Sequence, residues 1–317
     1  MGYASLEPHL PSSHAPLLPP GSYLSISDTQ ASDGNFLLHH FISNYIKADQ
    51  NVLVVGLAGI LVHYTMVGRK LGVNLVSARQ KGQFHFVDGL TQLTDYAAPN
   101  KEYVKETTDT KPSGAAPAPP SESTSGASRI AKASTAAATP APPVVLGYSP
   151  KLSDMYRVLS DIVKGAADQA KGPGPKKQVC LILDDLSVLL NCGWSCRDIL
   201  GLVRYLKQLV VKYNGVLITV VHADAVLAEE ASQDGLVRGV YYEADYIIDV
   251  RDLDSGGSRD VHGQASLIIS MLHGPGYLLR LRAGQVKEND WRAQTLHFKI
   301  LDNNVEVFAK GFSSGVL

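Results

Sequence analysis

From about residue 22 the chain alternates two patterns, short unbroken apolar runs and longer stretches whose apolar side chains recur every three or four positions. The first fits strands covered on both faces, the second amphipathic helices. A strand is predicted over 23–29, and a helix follows from near Asn35, with Leu37, Leu38, Phe41, Ile42, Tyr45 and Ile46 on one face. The run from Asn51 to Leu57 predicts a second strand, 60–71 a second helix and 83–88 a third strand. Strands alternating with helices in this way pair in parallel through crossover helices.

The rhythm stops across 107–143, where Thr, Pro, Ser, Ala and Gly dominate and Ile130 is the sole large apolar side chain. Such a stretch cannot bury enough surface to offset its ordering entropy. A disordered insertion at about 95–146 is therefore expected inside a single domain covering 23–317. It is read as an insertion because the pattern then resumes: helix 150–170, strand 178–184, helix 196–213, strand 215–222, a helical piece near 234–243 and strand 245–251. Neither half has enough strands to close a sheet alone. Strands at 264–271, 277–283 and 294–309, the last a hairpin turning at Asp302-Asn303-Asn304, predict an antiparallel extension. Residues 1–22, with prolines at 8, 11, 16, 19 and 20 and no period, are expected to be a disordered lead-in.

Composition narrows the class. The 317 residues are 45% hydrophobic, enough for a substantial core, and 29 Lys plus Arg against 30 Asp plus Glu give a net charge of -1. The chain as a whole thus exerts no strong pull on nucleic acid or membrane, and any RNA contact has to be local. Three cysteines, Cys180, Cys192 and Cys196, are too few for a disulfide framework and fit a reducing compartment, the cytoplasm or nucleus. There is neither a charged n-region before an apolar run nor the stretch of about eighteen apolar residues that a membrane span requires. Neither secretion by that route nor membrane insertion is expected.

The chemistry-bearing residues gather at strand ends. Residues 178–185 read Gln-Val-Cys-Leu-Ile-Leu-Asp-Asp, the form in which RecA-type ATPases deliver a carboxylate from a buried strand to a nucleotide's metal ion. Those enzymes also need a phosphate loop, and its place here, between the first strand and first helix, reads Asp28-Thr-Gln-Ala-Ser-Asp-Gly-Asn-Phe36. Aligned with G-x-x-x-x-G-K-[ST], Gly34 takes the second glycine, while Thr29, Asn35 and Phe36 replace the first glycine, the lysine and the hydroxyl. The expected fold is α/β and RecA-like, a mostly parallel sheet flanked by helices, kept after loss of catalysis. Asp184 and Asp185 are the Walker-B-like acids; in the bland alternative Asp185 starts a turn and Asp184 pairs with a basic neighbour. His222 and Asp224 end the next strand, and with the two acids they form the competing reading of a metal-dependent hydrolase or an ATPase with a non-standard loop. Cys192 and Cys196 lack partners at zinc-finger spacing, and Ser195 is expected to cap the helix carrying Cys196. Arg197, Arg204 and Lys207 on that helix are candidate phosphate contacts, or a solvated face. Arg259 and His262, in a tight loop that does not require them, are candidates for an interface or RNA contact.

The segments Asp184-Asp185-Leu-Ser-Val-Leu-Leu190, Arg259-Asp-Val-His-Gly-Gln264 and Phe308-Ala-Lys-Gly-Phe-Ser-Ser-Gly-Val-Leu317 resemble the Elongator complex protein 6 family, as do Asp33 to Ile42 and His63 to Val73. The likeness covers most of 23–92 and 178–317. It implies a RecA-like subunit of a heterohexameric ring formed with Elongator subunits four and five. That ring is an accessory to the machinery that builds the 5-carboxymethyl-type modification on tRNA wobble uridine, engaging tRNA and regulating its release in an ATP-dependent manner. No cofactor is expected on this chain's own phosphate loop. ATP at ring interfaces remains open, since a subunit without such a loop can still offer residues in trans.

Overall fold

The structure, a computed structural model, describes residues 2–10, 17–91, 143–146, 151–169, 177–224, 231–253, 256, 258, 260–269 and 294–309. The first half carries β1 (Tyr23–Asp28), α1 (Asn35–Lys47), β2 (Asn51–Gly56), α2 (Leu61–Lys70), α3 (Leu75–Gln80) and β3 (Phe84–Asp88). After the insertion come β4 (Val144–Val145), α4 (Leu152–Gln169), β5 (Val179–Leu183), α5 (Ser187–Asn191), α6 (Cys196–Lys212), β6 (Val216–His222), α7 (Ala231–Glu243) and β7 (Tyr246–Arg251). The antiparallel extension is β8 (Gly263–Ile269), β9 (Gln294–Ile300) and β10 (Val305–Ala309). The expected strand at 277–283, residues 95–142 of the expected insertion and Arg259 lie outside the described residues. The end of that insertion departs from the expectation: Val144 and Val145 pair with Val87 and Asp88 as β4, and Leu146 is buried, an addition of two residues too short to show a period.

The ten strands among the described residues form one sheet, in the order β10-β9-β8-β7-β1-β6-β5-β2-β3-β4. The seven from β7 to β4 pair in parallel, and β8, β9 and β10 add on antiparallel. Side chains alternate across the sheet, so each central strand feeds two cores. Leu24, Ile26, Val52, Val54, Phe84 and Phe86 pack under α1, α2 and α3. Tyr23, Leu53, Val55, Leu181, Leu183 and Leu217 pack under α4, α5, α6 and α7. Strands covered on both sides must be apolar throughout, which is why β2 and β5 read as unbroken hydrophobic runs. In α6 the buried Ile199, Leu202, Val203, Leu206, Leu209 and Val210 follow the helical period, and Ser195 caps its start by accepting the Asp198 N–H at 3.1 Å, as expected. The helix stops at Asn214, whose φ of 56° is one that asparagine tolerates.

Two short helices, α3 and α5, were not expected; each has too few residues to show a period. The late hairpin was legible, and Leu301 N–H bonds to the Asn304 carbonyl at 2.8 Å across its turn. The proline-rich head departs from its expectation in part. Tyr3, Leu6 and Leu18 are buried in the core beside α1, and a 3-10 turn spans Glu7–His9. The Tyr3 ring stacks on His40 at 5.8 Å, and its N–H donates to His40 Nδ1 at 2.9 Å.

Candidate functional site

In an open α/β sheet, ligands enter where adjacent strands send their chains to opposite faces. This sheet has two such crevices: β1 continues into α1 on one face while its neighbour β6 continues into α7 on the other, and β2 and β5 diverge the same way. Every Walker-type candidate lies at one of them.

At the first crevice, pairing register puts Asp28 opposite His222. His222 Nδ1 lies 2.5 Å from Asp28 Oδ1 and Nε2 lies 3.0 Å from Asp185 Oδ2, so the imidazole bridges two carboxylates that are 1% and 4% exposed. Its hydrogen bonds to Asp185 and Asp28 hold the histidine protonated, with a pKa raised to about 10. Burial raises the Asp28 carboxyl above the ordinary range, opposed by the imidazole and by the Gly34 N–H, which donates to Asp28 Oδ2 at 2.9 Å. A carboxylate of the chain itself therefore meets the start of α1, where a phosphate-binding loop would present its N–H groups to ligand.

Other donors of the degenerate loop are also engaged within the chain. Thr29 and Ser32 exchange backbone hydrogen bonds at 3.3 and 3.0 Å, closing a tight turn. Gln30 N–H donates to Asp224 Oδ1 at 3.0 Å, and Asn35 N–H to Asp33 Oδ1 at 2.7 Å. Phe36, at the magnesium-ligand position, is buried with its ring 4.9 Å from that of Phe298. The residues present do not fit a nucleotide triphosphate or its metal: the Gln30, Gly34 and Asn35 N–H groups are taken by carboxylates of the chain, two carboxylates and an imidazolium stand where the phosphates would sit, and Lys and Ser/Thr are absent from their positions. The cavity of about 230 Å³ beside them is lined by His222, Asp224, Gln233, Tyr241 and Arg251 and opens on the α7 side.

At the second crevice Asp184, 2% exposed, turns away from Asp185. Its Oδ1 accepts the N–H groups of Leu57 at 2.6 Å and Ala58 at 3.0 Å, and its Oδ2 accepts Gly59 N–H at 2.7 Å and the Tyr64 hydroxyl at 2.8 Å. Successive N–H groups converging on one anion form a nest, here filled internally. Burial pushes the Asp184 carboxyl upward while these four donors oppose it. A Cβ on Gly59 would lie 3.1 Å from Asp184 Oδ2 and 2.9 Å from the Tyr64 ring, so glycine is what lets the loop close on the acid.

The competing metal cluster is not assembled. Asp184 is committed to 57–59, Asp185 to His222 and to the Ser187 N–H at 2.7 Å, and Asp224 to Gln30. Among the described residues no three His, Cys, Asp or Glu side chains form a group able to hold a metal ion. The bland alternative was half right: Asp185 does start a turn, but Asp184 pairs with backbone and phenol instead of a basic side chain. Arg204 and Lys207 both engage the end of α7, Arg204 Nε meeting Glu243 Oε1 at 2.7 Å with its side chain 56% exposed and Lys207 Nζ the Glu243 carbonyl at 2.6 Å. Arg197 is exposed. His262 is exposed but engaged, its Nδ1 accepting the Ile300 N–H at 3.1 Å. Asp28, Tyr64 and the loop 56–59 escaped sequence reasoning, although Gly56-Leu-Ala-Gly59 between a strand and a helix carries the small-residue mark of a nest.

The sequence profile of the family described as Elongation complex protein 6 matches residues 5–111 and 128–302. The chain belongs to this family. The Elongator complex protein 6 of Rattus norvegicus is 30% identical over 90% of each chain, and that of Homo sapiens 28% over 90% of each. The Dictyostelium discoideum protein of the same name is 23% identical over 93% of this chain and 92% of its own. Among solved structures, a KaiC-like protein from Pyrococcus horikoshii superposes with a TM-score of 0.51 at 11% identity, covering 92% of this chain and 91% of that one. The fold is RecA-like, and in this chain internal carboxylates occupy both strand-end crevices.

Proposed function

We propose that this protein is a non-catalytic subunit of the Elongator complex. In this reading it joins subunits four and five in a heterohexameric RecA-like ring, in the cytoplasm and also the nucleus. The ring supports 5-carboxymethyl-type modification of tRNA wobble uridine by engaging tRNA and controlling its release. The observation that carries the reading is the Asp28–His222–Asp185 bridge, which occupies with internal charge the crevice where a RecA-type enzyme would hold its nucleotide. A fold retained at full size without the phosphate-loop lysine and hydroxyl is best explained by what it assembles with. Any ATP in such a ring would sit on other subunits or at interfaces to which this chain lends residues. Arg197 and the 252–263 loop are its candidate points for RNA or a neighbouring subunit.

The test is co-expression with Elongator subunits four and five, purification through a tag on this chain, and native mass measurement. A species containing two copies of each subunit that retains tRNA is the expected outcome. A monomer that ignores both subunits and turns over ATP, with turnover abolished by Asp184→Ala, would overturn the reading.

A further inference from the structure

The helix α2 is apolar on two sides. Tyr64 and Gly68 face the core, yet Val62 and Met66, one turn apart on the outer side, are 60% and 61% exposed, and Ile60 just before the helix is 51% exposed. A helix with apolar residues on opposite faces is normally covered on both, and a cluster of exposed large apolar side chains marks a contact surface. By helical spacing Arg69 and Lys70 continue the Val62–Met66 stripe. Lys47 reaches the same end, donating from Nζ to the Leu71 carbonyl at 2.7 Å. The Ile46 carbonyl accepts from Gln83 Nε2 at 2.8 Å, which brings the turn after Lys81 alongside. Between Asp49 and Asp88 the sequence contains no acidic residue, and Asp49 is itself engaged by Lys177 at 2.7 Å. The outer surface of this segment therefore offers an apolar strip that runs into cations with no carboxylate of its own.

We propose that the outer face of α2 is a docking surface for a neighbouring protein subunit that lays an apolar strip on Ile60, Val62 and Met66 and sets carboxylates against Arg69 and Lys70. Its partner, a subunit of the Elongator ring, rests on the reading above. A second copy of this chain is a poorer match, because its own patch brings no carboxylates to meet the cations. An RNA backbone would answer the cations but would gain nothing from three exposed aliphatic side chains, so the observations favour protein.

The experiment compares the wild-type chain with Val62→Glu/Met66→Glu and with Arg69→Glu/Lys70→Glu, each co-expressed with subunits four and five. Both substitutions fall on exposed positions, and unchanged melting of each isolated variant serves as the folding control. Recovery of the partner subunits is expected to fall at least tenfold with either pair, and residues 60–70 of the wild-type chain to gain hydrogen-exchange protection in the complex. If the first pair fails to fold, that protection decides alone. Normal assembly by both variants, or residues 60–70 that remain unprotected, overturns the proposal. Normal assembly with RNA retention lost only in the charge-reversed pair also overturns it, in favour of a phosphate contact. A wild-type chain that recruits no subunit would instead refute the ring reading, an outcome distinct from any of these.

Discussion

Asp184 and His222 spend their chemistry on holding the chain together. Four donors converge on the Asp184 carboxylate, so Asp184→Asn would turn an amide N–H₂ toward an N–H that now has an acceptor. We expect a loss of about 2–3 kcal/mol, the range for a buried charged hydrogen-bond centre, measured by urea unfolding. Tyr64→Phe removes one of the four and should cost about 1–2 kcal/mol. A Walker-type acid would behave oppositely, with activity lost and stability kept. His222 gives a pH signature. Its folded pKa of about 10 lies above the ordinary value of 6.5, so its stabilisation is fully present below pH 6.5 and disappears as pH rises through 10. Wild-type stability should therefore fall between pH 7 and pH 10, and His222→Gln should be less stable at pH 7 yet lack that fall. The loss at pH 7 should be about 2–3 kcal/mol, below the usual cost of breaking a buried pair because the imidazole is 35% exposed. Parallel pH curves for the two proteins would contradict the bridge.

Among the elements, the head of the chain and the cap of α6 make separate demands. Tyr3 and Leu6 fill a surface made by α1, and Ser5 Oγ reaches the Val305 carbonyl at 2.5 Å, so the head ties the first helix to the last strand. Deleting residues 1–10 should cost about 3–6 kcal/mol, from two buried side chains worth about 1.5–3 each. Chemical denaturation of the truncated chain checks this, and unchanged stability would restore the reading of a dispensable lead-in. Ser195→Ala should cost about 1 kcal/mol through its cap. Neither change should alter the charge bridge, which lies on other elements.

Occupation of both crevices by internal charge governs how the molecule as a whole meets nucleotide. A ligand that binds only the folded state at a hundred times its Kd adds about 2.7 kcal/mol of stability, so binding is readable as a melting shift. Magnesium and ATP should leave the melting temperature of the isolated chain unchanged, whereas partner subunits should raise it. A clear shift with nucleotide alone would mean that the bridge opens and that the site is usable.

The sequence by itself determined the order of the longer strands and helices from β1 to β7, though not α3, β4 or α5, together with the antiparallel tail and the defective phosphate loop. These features are written in local periodicity and in residue types within a few positions of one another. It also determined that Asp184, Asp185 and His222 end neighbouring strands. Only the tertiary structure decided which groups meet. Asp184 and Asp185 are adjacent in the chain yet serve different crevices, because the former turns toward β2 and the latter toward β6. Asp28 became a bridge member through its register with His222, 194 residues away. Tyr3, Leu6 and Leu18 were illegible for a related reason: isolated apolar residues among prolines have no period, and the surface that buries them is assembled from distant parts of the chain. Local pattern fixes what an element is, whereas strand order and register, set by the whole hydrophobic pattern at once, fix which charges are neutralised inside it.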